Sequence, residues 1–108
     1  NFDQDFGHRR DPLGYAEALE YFDQRLSDVQ SSMKEADLLF ITSDHGCDPT
    51  WRGTDHTREY VPLLAWRPDL PPTSLGIRQT FADLGHTVAE FFHLPPLSHG
   101  TSFLIDLR

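Results

Sequence analysis

The sequence has 108 residues, of which 38% are hydrophobic, and this is enough for one small domain with a modest core. Its 9 Lys and Arg residues stand against 17 Asp and Glu residues, and the formal charge of -8 argues against a nucleic-acid backbone or an anionic membrane as partner. It contains neither an apolar run long enough to span a membrane nor a signal-like start, so we expect a cytoplasmic location. The single cysteine, Cys47, cannot form an intrachain disulfide, which fits a reducing compartment.

The first segment, residues 1–11, is polar and turn-like, and it carries Asp3 and His8. Phe2 and Asp3 resemble the end of an apolar strand, and the chain begins at Asn1 without a methionine. We therefore expect a fragment or a processed chain whose earlier strand residues are absent.

A long amphipathic helix is predicted to start at Asp11 and Pro12. Asp accepts hydrogen bonds from free N–H groups as an N-cap, and Pro suits the first helical position. The apolar residues that follow have the spacing of one helical face, which predicts a core stripe rather than a cofactor site. The stripe consists of Tyr15, Ala18, Leu19, Phe22, Leu26, Val29 and Met33.

The next segment, residues 37–42, is almost continuously apolar, which is typical of a parallel strand covered on both faces. Asp44 and His45 follow it directly, and a loop rich in Pro, Gly and hydroxyl residues leads on to His56. In open α/β sheets, sites lie beyond the carboxyl ends of the strands. We therefore expect Asp3 and Asp44 to leave neighbouring strands at the same edge of one sheet.

The remaining chain predicts a strand at 60–66, a break at 68–72, a helix at 80–92 and a small strand at 102–105. The expected fold class is therefore α/β, with mostly parallel strands flanked by amphipathic helices. Three further histidines lack ligand-like spacing, and we expect structural or surface roles for them. They are His86, His93 and His99.

Five residues near the predicted strand ends are candidate metal ligands. A carboxylate with two imidazoles suits a borderline divalent cation such as manganese or zinc. A natural division places Asp44, His45 and His56 around one ion, and Asp3 and His8 around a second. Both sets are incomplete, so a bridging carboxylate, a nucleophile, water or substrate must supply the other ligands. Four threonines near the ligands carry no sign of activation and are interpreted as turn hydroxyls: Thr42, Thr50, Thr54 and Thr57.

Three motifs resemble the metal-binding motifs of the phosphopentomutase family, within the alkaline phosphatase superfamily. They are Gly-His-Arg-Arg-Asp at 7–11, Asp-His-Gly-Cys-Asp-Pro-Thr at 44–50 and Gly-Thr-Asp-His-Thr-Arg-Glu at 53–59. Asp-His-Gly alone recurs across the superfamily, whereas the extended motifs are specific. The resemblance covers nearly the whole chain.

This resemblance implies a phosphate shift between the 1 and 5 positions of ribose or 2-deoxyribose, dependent on two manganese ions. In the family, a phosphorylated threonine donates its phosphate to the sugar phosphate, which gives a bisphosphorylated intermediate that returns a phosphate to the enzyme. Carried over by position, Asp44, His45 and His56 would hold one manganese ion, and Asp3 and His8 the other. The expected substrate is a pentose phosphate.

Residues 1–108 resemble the C-terminal segment of the family's metal-binding core. The N-terminal core segment, with its bridging aspartate and nucleophilic threonine, and the sugar-recognising cap have no counterparts in the sequence. We therefore expect the chain to contain no catalytic residue, to require the N-terminal portion of the same protein, and to be inactive alone.

Four arginines flank the candidate ligands: Arg9, Arg10, Arg52 and Arg58. They could contact phosphate through their fork-like donors. They could equally pair with neighbouring acidic residues and hold the loops, which is the favoured interpretation because such partners are plentiful.

Two other functions stay open. One is a phosphoglycerate mutase or phosphatase of the same superfamily, which would share Asp-His-Gly but not the Gly-His-Arg-Arg-Asp run. The other is a metal-stabilised domain without turnover. Tight manganese binding by the chain alone would favour the non-catalytic domain, because half of a catalytic site should bind weakly.

Overall fold

A helix of 21 residues, α1 (Pro12–Ser32), is the longest element of the computed structural model, which describes residues 1–108. Its predicted start is confirmed: the Asp11 side chain accepts a hydrogen bond from the Gly14 N–H at 2.9 Å, and Pro12 occupies the first helical position. The chain divides into two compact units, Asn1–Pro68 and Asp69–Arg108, and the boundary falls in the predicted proline-rich break.

The residues before α1 form a single π-helical turn, Phe2–Gly7, here called the N-terminal turn. The interpretation of Phe2 and Asp3 as a strand end is therefore wrong. Asn1 caps the turn by accepting a hydrogen bond from the Gln4 N–H at 3.2 Å, and the His8 N–H donates to the Asp3 carbonyl at 2.9 Å. The wide spacing of that bond brings Asp3 and His8 together on one turn.

Two short strands, β1 (Leu39–Thr42) and β2 (Leu63–Trp66), lie inside the predicted strand segments. They pair antiparallel, with Leu39 opposite Trp66 and Thr42 opposite Leu63. The expectation of parallel strands is wrong for this pair. A parallel pair needs a crossover, usually a helix, whereas β1 and β2 are joined by a loop that contains no helix.

The loop between β1 and β2 carries three of the candidate ligands and is closed at its base. Gly46 and Thr57 form an isolated bridge, in which the Thr57 N–H donates to the Gly46 carbonyl at 3.4 Å. A Cβ atom at position 46 would lie 2.6 Å from the Thr57 carbonyl oxygen, so only glycine allows this approach. The bridge holds His45 and His56 on facing sides of the loop.

The apolar stripe of α1 is not a buried core, because no residue of this helix is buried. The prediction that this apolar stripe is buried in a core is therefore wrong. The N-terminal turn packs on α1 through the Phe2 ring, whose centroid lies 5.7 Å from that of Tyr15 and 6.1 Å from that of Phe22. Other apolar side chains of α1 are exposed: Leu13, Leu19, Tyr21 and Val29. None of the helices is both long enough and apolar enough to cross a membrane.

The second unit contains helix α2 (Ala82–Phe91), within the predicted range 80–92, and a 3₁₀-helix at Leu104–Leu107. The predicted strand at 102–105 is wrong. A strand needs a pairing partner, and this unit contains no other strand. The buried apolar side chains of the structure all lie in this unit: Ala89, Phe103, Leu104 and Leu107.

A buried carboxylate, Asp83, joins the segments of the second unit. One carboxylate oxygen accepts the Thr101 N–H at 2.9 Å, and the other accepts the Gln79 N–H at 3.2 Å and faces the Arg78 Nε at 3.4 Å. These donors lower the pKa of Asp83, chiefly through the hydrogen bond from the Thr101 backbone, against the opposing effect of burial. The carboxylate thus fixes the chain on both sides of α2.

Replacing Asp83 with asparagine should make the free energy of unfolding of the second unit depend less on pH in the acid range. A carboxyl group whose pKa is lowered by folding stabilises the native state above its ordinary pKa of 3.8, and this stability is lost as the pH falls through the native pKa. Urea unfolding, followed by NMR signals of the second unit between about pH 2 and 5, measures this effect. Asp106→Asn, at an exposed site, is the matched control. If the free energy of unfolding depended on pH identically in Asp83→Asn and the wild type, folding would not lower the pKa of Asp83 as stated.

Candidate metal centre

Asp3 is the central residue of a cluster formed by four of the five predicted ligands. Its Oδ2 atom lies 3.2 Å from the Nε2 atoms of both His8 and His56, and 4.0 Å from the Nε2 atom of His45. The N-terminal turn supplies Asp3 and leads into His8, whereas the loop between β1 and β2 supplies His45 and His56. Residues far apart in sequence therefore converge on one carboxylate.

Asp3, His8 and His56 have the geometry of a candidate metal site. Their ligand atoms, one carboxylate oxygen and two imidazole nitrogens, all lie within 4.8 Å of one another. Mixed oxygen and nitrogen ligands of this kind suit borderline divalent cations, at metal–ligand distances of about 2.0–2.2 Å for zinc. The donor set and its spacing therefore fit a single ion.

The backbone orients two of these imidazoles. The Nδ1 atom of His8 hydrogen-bonds to the Thr54 carbonyl, and that of His45 lies 2.9 Å from the Gly46 carbonyl. A carbonyl only accepts, so each Nδ1 carries a proton, and the Nε2 atom of each ring is the nitrogen that faces the Asp3 carboxylate. A metal-binding histidine commonly hydrogen-bonds through its other ring nitrogen in this way, which agrees with the fit to a metal.

Asp44 and His45 form a more open pair at the edge of the cluster. The Asp44 Oδ1 atom lies 3.7 Å from the His45 Nε2 atom, and the Asp44 side chain is 89% exposed. The hydrogen bond to the Gly46 carbonyl is the largest cause of the raised pKa of His45, and the Asp44 and Asp3 carboxylates add to it while desolvation opposes it.

His56 is placed differently from the division expected from the sequence. Its Nε2 atom joins Asp3 and His8, while its ring stacks on that of His45 with centroids 3.6 Å apart and an interplanar angle of 12°. His56 therefore lies between the two predicted sets, with its ligand atom in the set of Asp3 and His8. The assignment of all five residues as ligands stays a prediction.

Two residues that the sequence did not single out border the cluster, Cys47 and Tyr15. Burial, together with the nearby Asp3 carboxylate and a hydrogen bond to it, raises the pKa of the Cys47 thiol. Burial, followed by the proximity of Cys47 and Asp3, raises the pKa of Tyr15. The position of Cys47 directly after Asp-His-Gly was a signal for this role, whereas nothing in the sequence indicated Tyr15.

Several hydroxyls near the ligands have structural partners. Thr50 donates to the Asp48 carboxylate through its N–H at 2.8 Å and its hydroxyl at 2.6 Å, which forms a tight turn and lowers the pKa of Asp48. The Thr42 hydroxyl donates to the Pro62 carbonyl at 2.8 Å. The interpretation as a turn hydroxyl agrees with the contacts of Thr50, but it is wrong for Thr42, which ends β1 and bonds across to the segment before β2. The Thr57 hydroxyl is buried and has no hydrogen-bond partner.

The four arginines that flank the ligands are exposed, and their side chains make no hydrogen bond or ion pair. The favoured interpretation, in which they pair with local acidic residues and hold the loops, therefore gains no support from the structure. Their guanidinium groups are available to an anion. These residues are Arg9, Arg10, Arg52 and Arg58.

The remaining histidines, His86, His93 and His99, belong to the second unit and join no group of ligands. The ring of His86 contacts the His99 carbonyl at 3.4 Å, and His93 follows the end of α2 with a φ of 55°. Their contacts agree with the structural or surface roles expected from the sequence.

The sequence matches the profile of the Metalloenzyme superfamily over residues 1–96, and the chain belongs to this superfamily. It is 55% identical over 107 residues to a phosphopentomutase of Colwellia psychrerythraea, an alignment that covers 99% of this chain and 26% of that protein. It is 56% identical over 104 residues to phosphopentomutases of Actinobacillus succinogenes and Yersinia enterocolitica, with 96% of this chain and 26% of each protein covered.

These comparisons confirm the resemblance to phosphopentomutases seen in the three motifs. The chain spans about a quarter (26%) of the length of the curated relatives it matches. The superfamily name supports dependence on a metal, and the cluster around Asp3 fits one. Membership of the superfamily also fits an alkaline-phosphatase-like fold.

Proposed function

We propose that the protein is a phosphopentomutase in which this chain supplies the metal ligands. It interconverts the 1- and 5-phosphates of ribose or 2-deoxyribose, with two manganese ions, in the cytoplasm. The observation that carries this proposal is the convergence of Asp3, His8 and His56, within a chain 55% identical to a phosphopentomutase. The alternative enzymes of the superfamily are less favoured, because the relatives share this name over nearly the whole chain.

The five predicted ligands would hold the ions in two groups. Asp3, His8 and His56 converge closely enough to hold one ion, and Asp44 and His45 are placed to contribute to a second. The open position of Asp44 suits a site completed by the N-terminal portion of the same protein, which we propose as the source of the bridging aspartate and the nucleophilic threonine. Bound divalent cations would supply the positive charge that stabilises a transferring phosphoryl group.

The unpaired arginines give the site a means of binding the substrate's phosphate group. The chain is strongly acidic, with a formal charge of -8, so an anionic substrate needs local positive charge. Guanidinium groups bind phosphate oxygens through paired N–H donors. We therefore propose that four arginines face the pentose phosphate. Arg9 and Arg10 follow His8, and Arg52 and Arg58 lie in the loop between β1 and β2 that carries His56.

The test of this function is isomerisation by the full-length protein. We expect manganese-dependent conversion of ribose 1-phosphate to ribose 5-phosphate, with little action on phosphoglycerate or on a phosphatase substrate. Preferred turnover of phosphoglycerate would replace the proposal with the phosphoglycerate mutase alternative. Absence of all turnover, together with tight manganese binding by the 108-residue chain alone, would favour the non-catalytic domain.

The 108-residue chain alone should show no mutase activity, even with excess manganese and a bisphosphate activator. Phosphoryl transfer needs an activated nucleophile, which we place in the N-terminal portion of the protein; in this chain the Thr42 and Thr50 hydroxyls are engaged in structural hydrogen bonds and the Thr57 hydroxyl is buried. A coupled assay for ribose 5-phosphate formation, with the full-length protein as positive control, measures this. Turnover by the short chain would reveal a nucleophile within it.

A further inference from the structure

The tip of the loop between β1 and β2 contacts His8 through a backbone group. The Thr54 carbonyl accepts a hydrogen bond from the Nδ1 atom of His8, across a separation of 46 positions. The Nε2 atom of the same ring lies 3.2 Å from the Asp3 carboxylate. Both nitrogens of His8 are therefore engaged, one by the N-terminal turn and the other by the loop.

Packing alone does not fix the orientation of the His8 ring. The side chain is 42% exposed, and its ring is tilted by 37° against that of His56, with the centroids 5.3 Å apart. A half-turn of the ring about its Cβ–Cγ bond would put a carbon atom in the place of each nitrogen. The hydrogen bond to the Thr54 carbonyl therefore selects the orientation in which Nε2 faces Asp3.

The residue before this carbonyl group, Gly53, has a backbone conformation that suits glycine. Its φ is 103°, a value that residues with a side chain rarely adopt. No atom lies within 4 Å of the position that a Cβ would take, so glycine is needed here for its conformation and not for lack of space. None of the backbone N–H groups of residues 52–56 donates a hydrogen bond. The conformation of Gly53 therefore decides where the Thr54 carbonyl points.

We propose that Gly53 is a positioning residue: it directs the Thr54 carbonyl to His8, which holds the Nε2 atom of His8 toward Asp3 and so sets the affinity of the metal centre. Hydrogen bonds to the second ring nitrogen fix the orientation of a ligating histidine, and their loss weakens metal binding. The inference rests on the proposed role of His8 as a ligand, although it does not require mutase activity.

The test compares manganese affinity among variants of the full-length protein by isothermal titration calorimetry. Gly53→Ala should weaken the binding of one manganese ion by about 10- to 100-fold, because the methyl group disfavours the required φ although it meets no other atom. Gly53→Asn should lose less affinity, since asparagine tolerates a positive φ better than alanine does.

Gly76→Ala is the matched control for Gly53→Ala. Gly76 also has a positive φ, of 64°, and no atom lies within 4 Å of the position of its missing Cβ. It belongs to the second unit, apart from the cluster around Asp3. This variant should bind manganese with the affinity of the wild type.

The tautomer of His8 provides a second readout, which a general loss of stability would not change. NMR of the imidazole nitrogens in the metal-free protein, at a pH where the ring is neutral, should show His8 protonated at Nδ1 in the wild type. Gly53→Ala should shift His8 toward the mixture of tautomers of a free imidazole, and Gly76→Ala should not. Should Gly53→Ala fail to fold, Gly53→Asn carries both measurements, with smaller changes in the same direction.

Wild-type manganese affinity in Gly53→Ala would overturn the inference. A loss of affinity with an unaltered His8 tautomer, or an equal loss in Gly76→Ala, would also overturn it. The proposed function fails separately. If the wild type shows no mutase activity, but Gly53→Ala lowers the manganese affinity and alters the His8 tautomer, the positioning role stands and the mutase assignment falls.

Discussion

Replacing His56 with alanine in the full-length protein should abolish ribose 1-phosphate isomerisation and remove one equivalent of manganese. The His56 Nε2 atom lies 3.2 Å from the Asp3 carboxylate, and its ring stacks on His45. The substitution therefore removes one imidazole ligand and the neighbour of a second. We expect the activity to fall by more than about 100-fold, beyond the effect of losing an outer partner of a ligand.

Metal content after dialysis, measured by mass spectrometry, and the isomerisation rate are the two measurements for His56→Ala. His99→Ala is the matched control, because His99 is exposed and belongs to no ligand group. The control should retain wild-type metal content and activity. Full activity of His56→Ala with unaltered metal content would refute the assignment of His56 as a ligand.

Replacing Phe103 with alanine should destabilise the second unit by about 3–5 kcal/mol, the usual cost of deleting a buried aromatic ring. Phe103 is 1% exposed, and the Arg78 guanidinium lies 5.0 Å from the centroid of its ring. Its backbone N–H donates to the Thr87 hydroxyl at 3.0 Å, and that hydroxyl donates to the Asp83 carbonyl at 2.7 Å. Loss of the ring therefore opens a cavity beside the hydrogen bonds that hold α2.

Urea unfolding followed by NMR signals of the second unit measures the cost of Phe103→Ala. Phe92→Ala deletes the same side chain at a site that is 64% exposed, and it should cost much less. Equal destabilisation by the two variants would show that Phe103 is not the centre of this core. Loss of all folded signals in Phe103→Ala alone would agree with the expected effect.

The sequence predicted those parts of the fold that depend on local interactions. The start of α1 follows from Asp11 and Pro12, which act within one helical turn, and β1 follows from a continuous apolar run. The direction of pairing between β1 and β2 was not predictable in this way, since it depends on which segments meet after folding. The N-terminal turn was misread because a short apolar segment fits a strand and a helical turn equally well.

The candidate site shows the same limit. The residue types and the motif context of the five candidate ligands were sufficient to predict four that the structure brings together: Asp3, His8, His45 and His56. Their grouping depends on how the loop between β1 and β2 folds back, which brings His56 beside Asp3 across a separation of 53 positions. The influence of Cys47 on the pKa of Tyr15 is likewise non-local, so no spacing rule predicts it.

The bridge between Gly46 and Thr57 closes the base of a loop, but the tip of that loop is tied to the N-terminal turn only through side chains and one carbonyl. An ion bound by Asp3, His8 and His56 would therefore act as a cross-link between distant parts of the chain. Such an ion would bind the folded arrangement of these ligands and leave on unfolding, so it would stabilise the native state by mass action. The free energy of unfolding of the first unit would then rise with the logarithm of the metal concentration above its Kd, so folding of this loop would depend on the available metal.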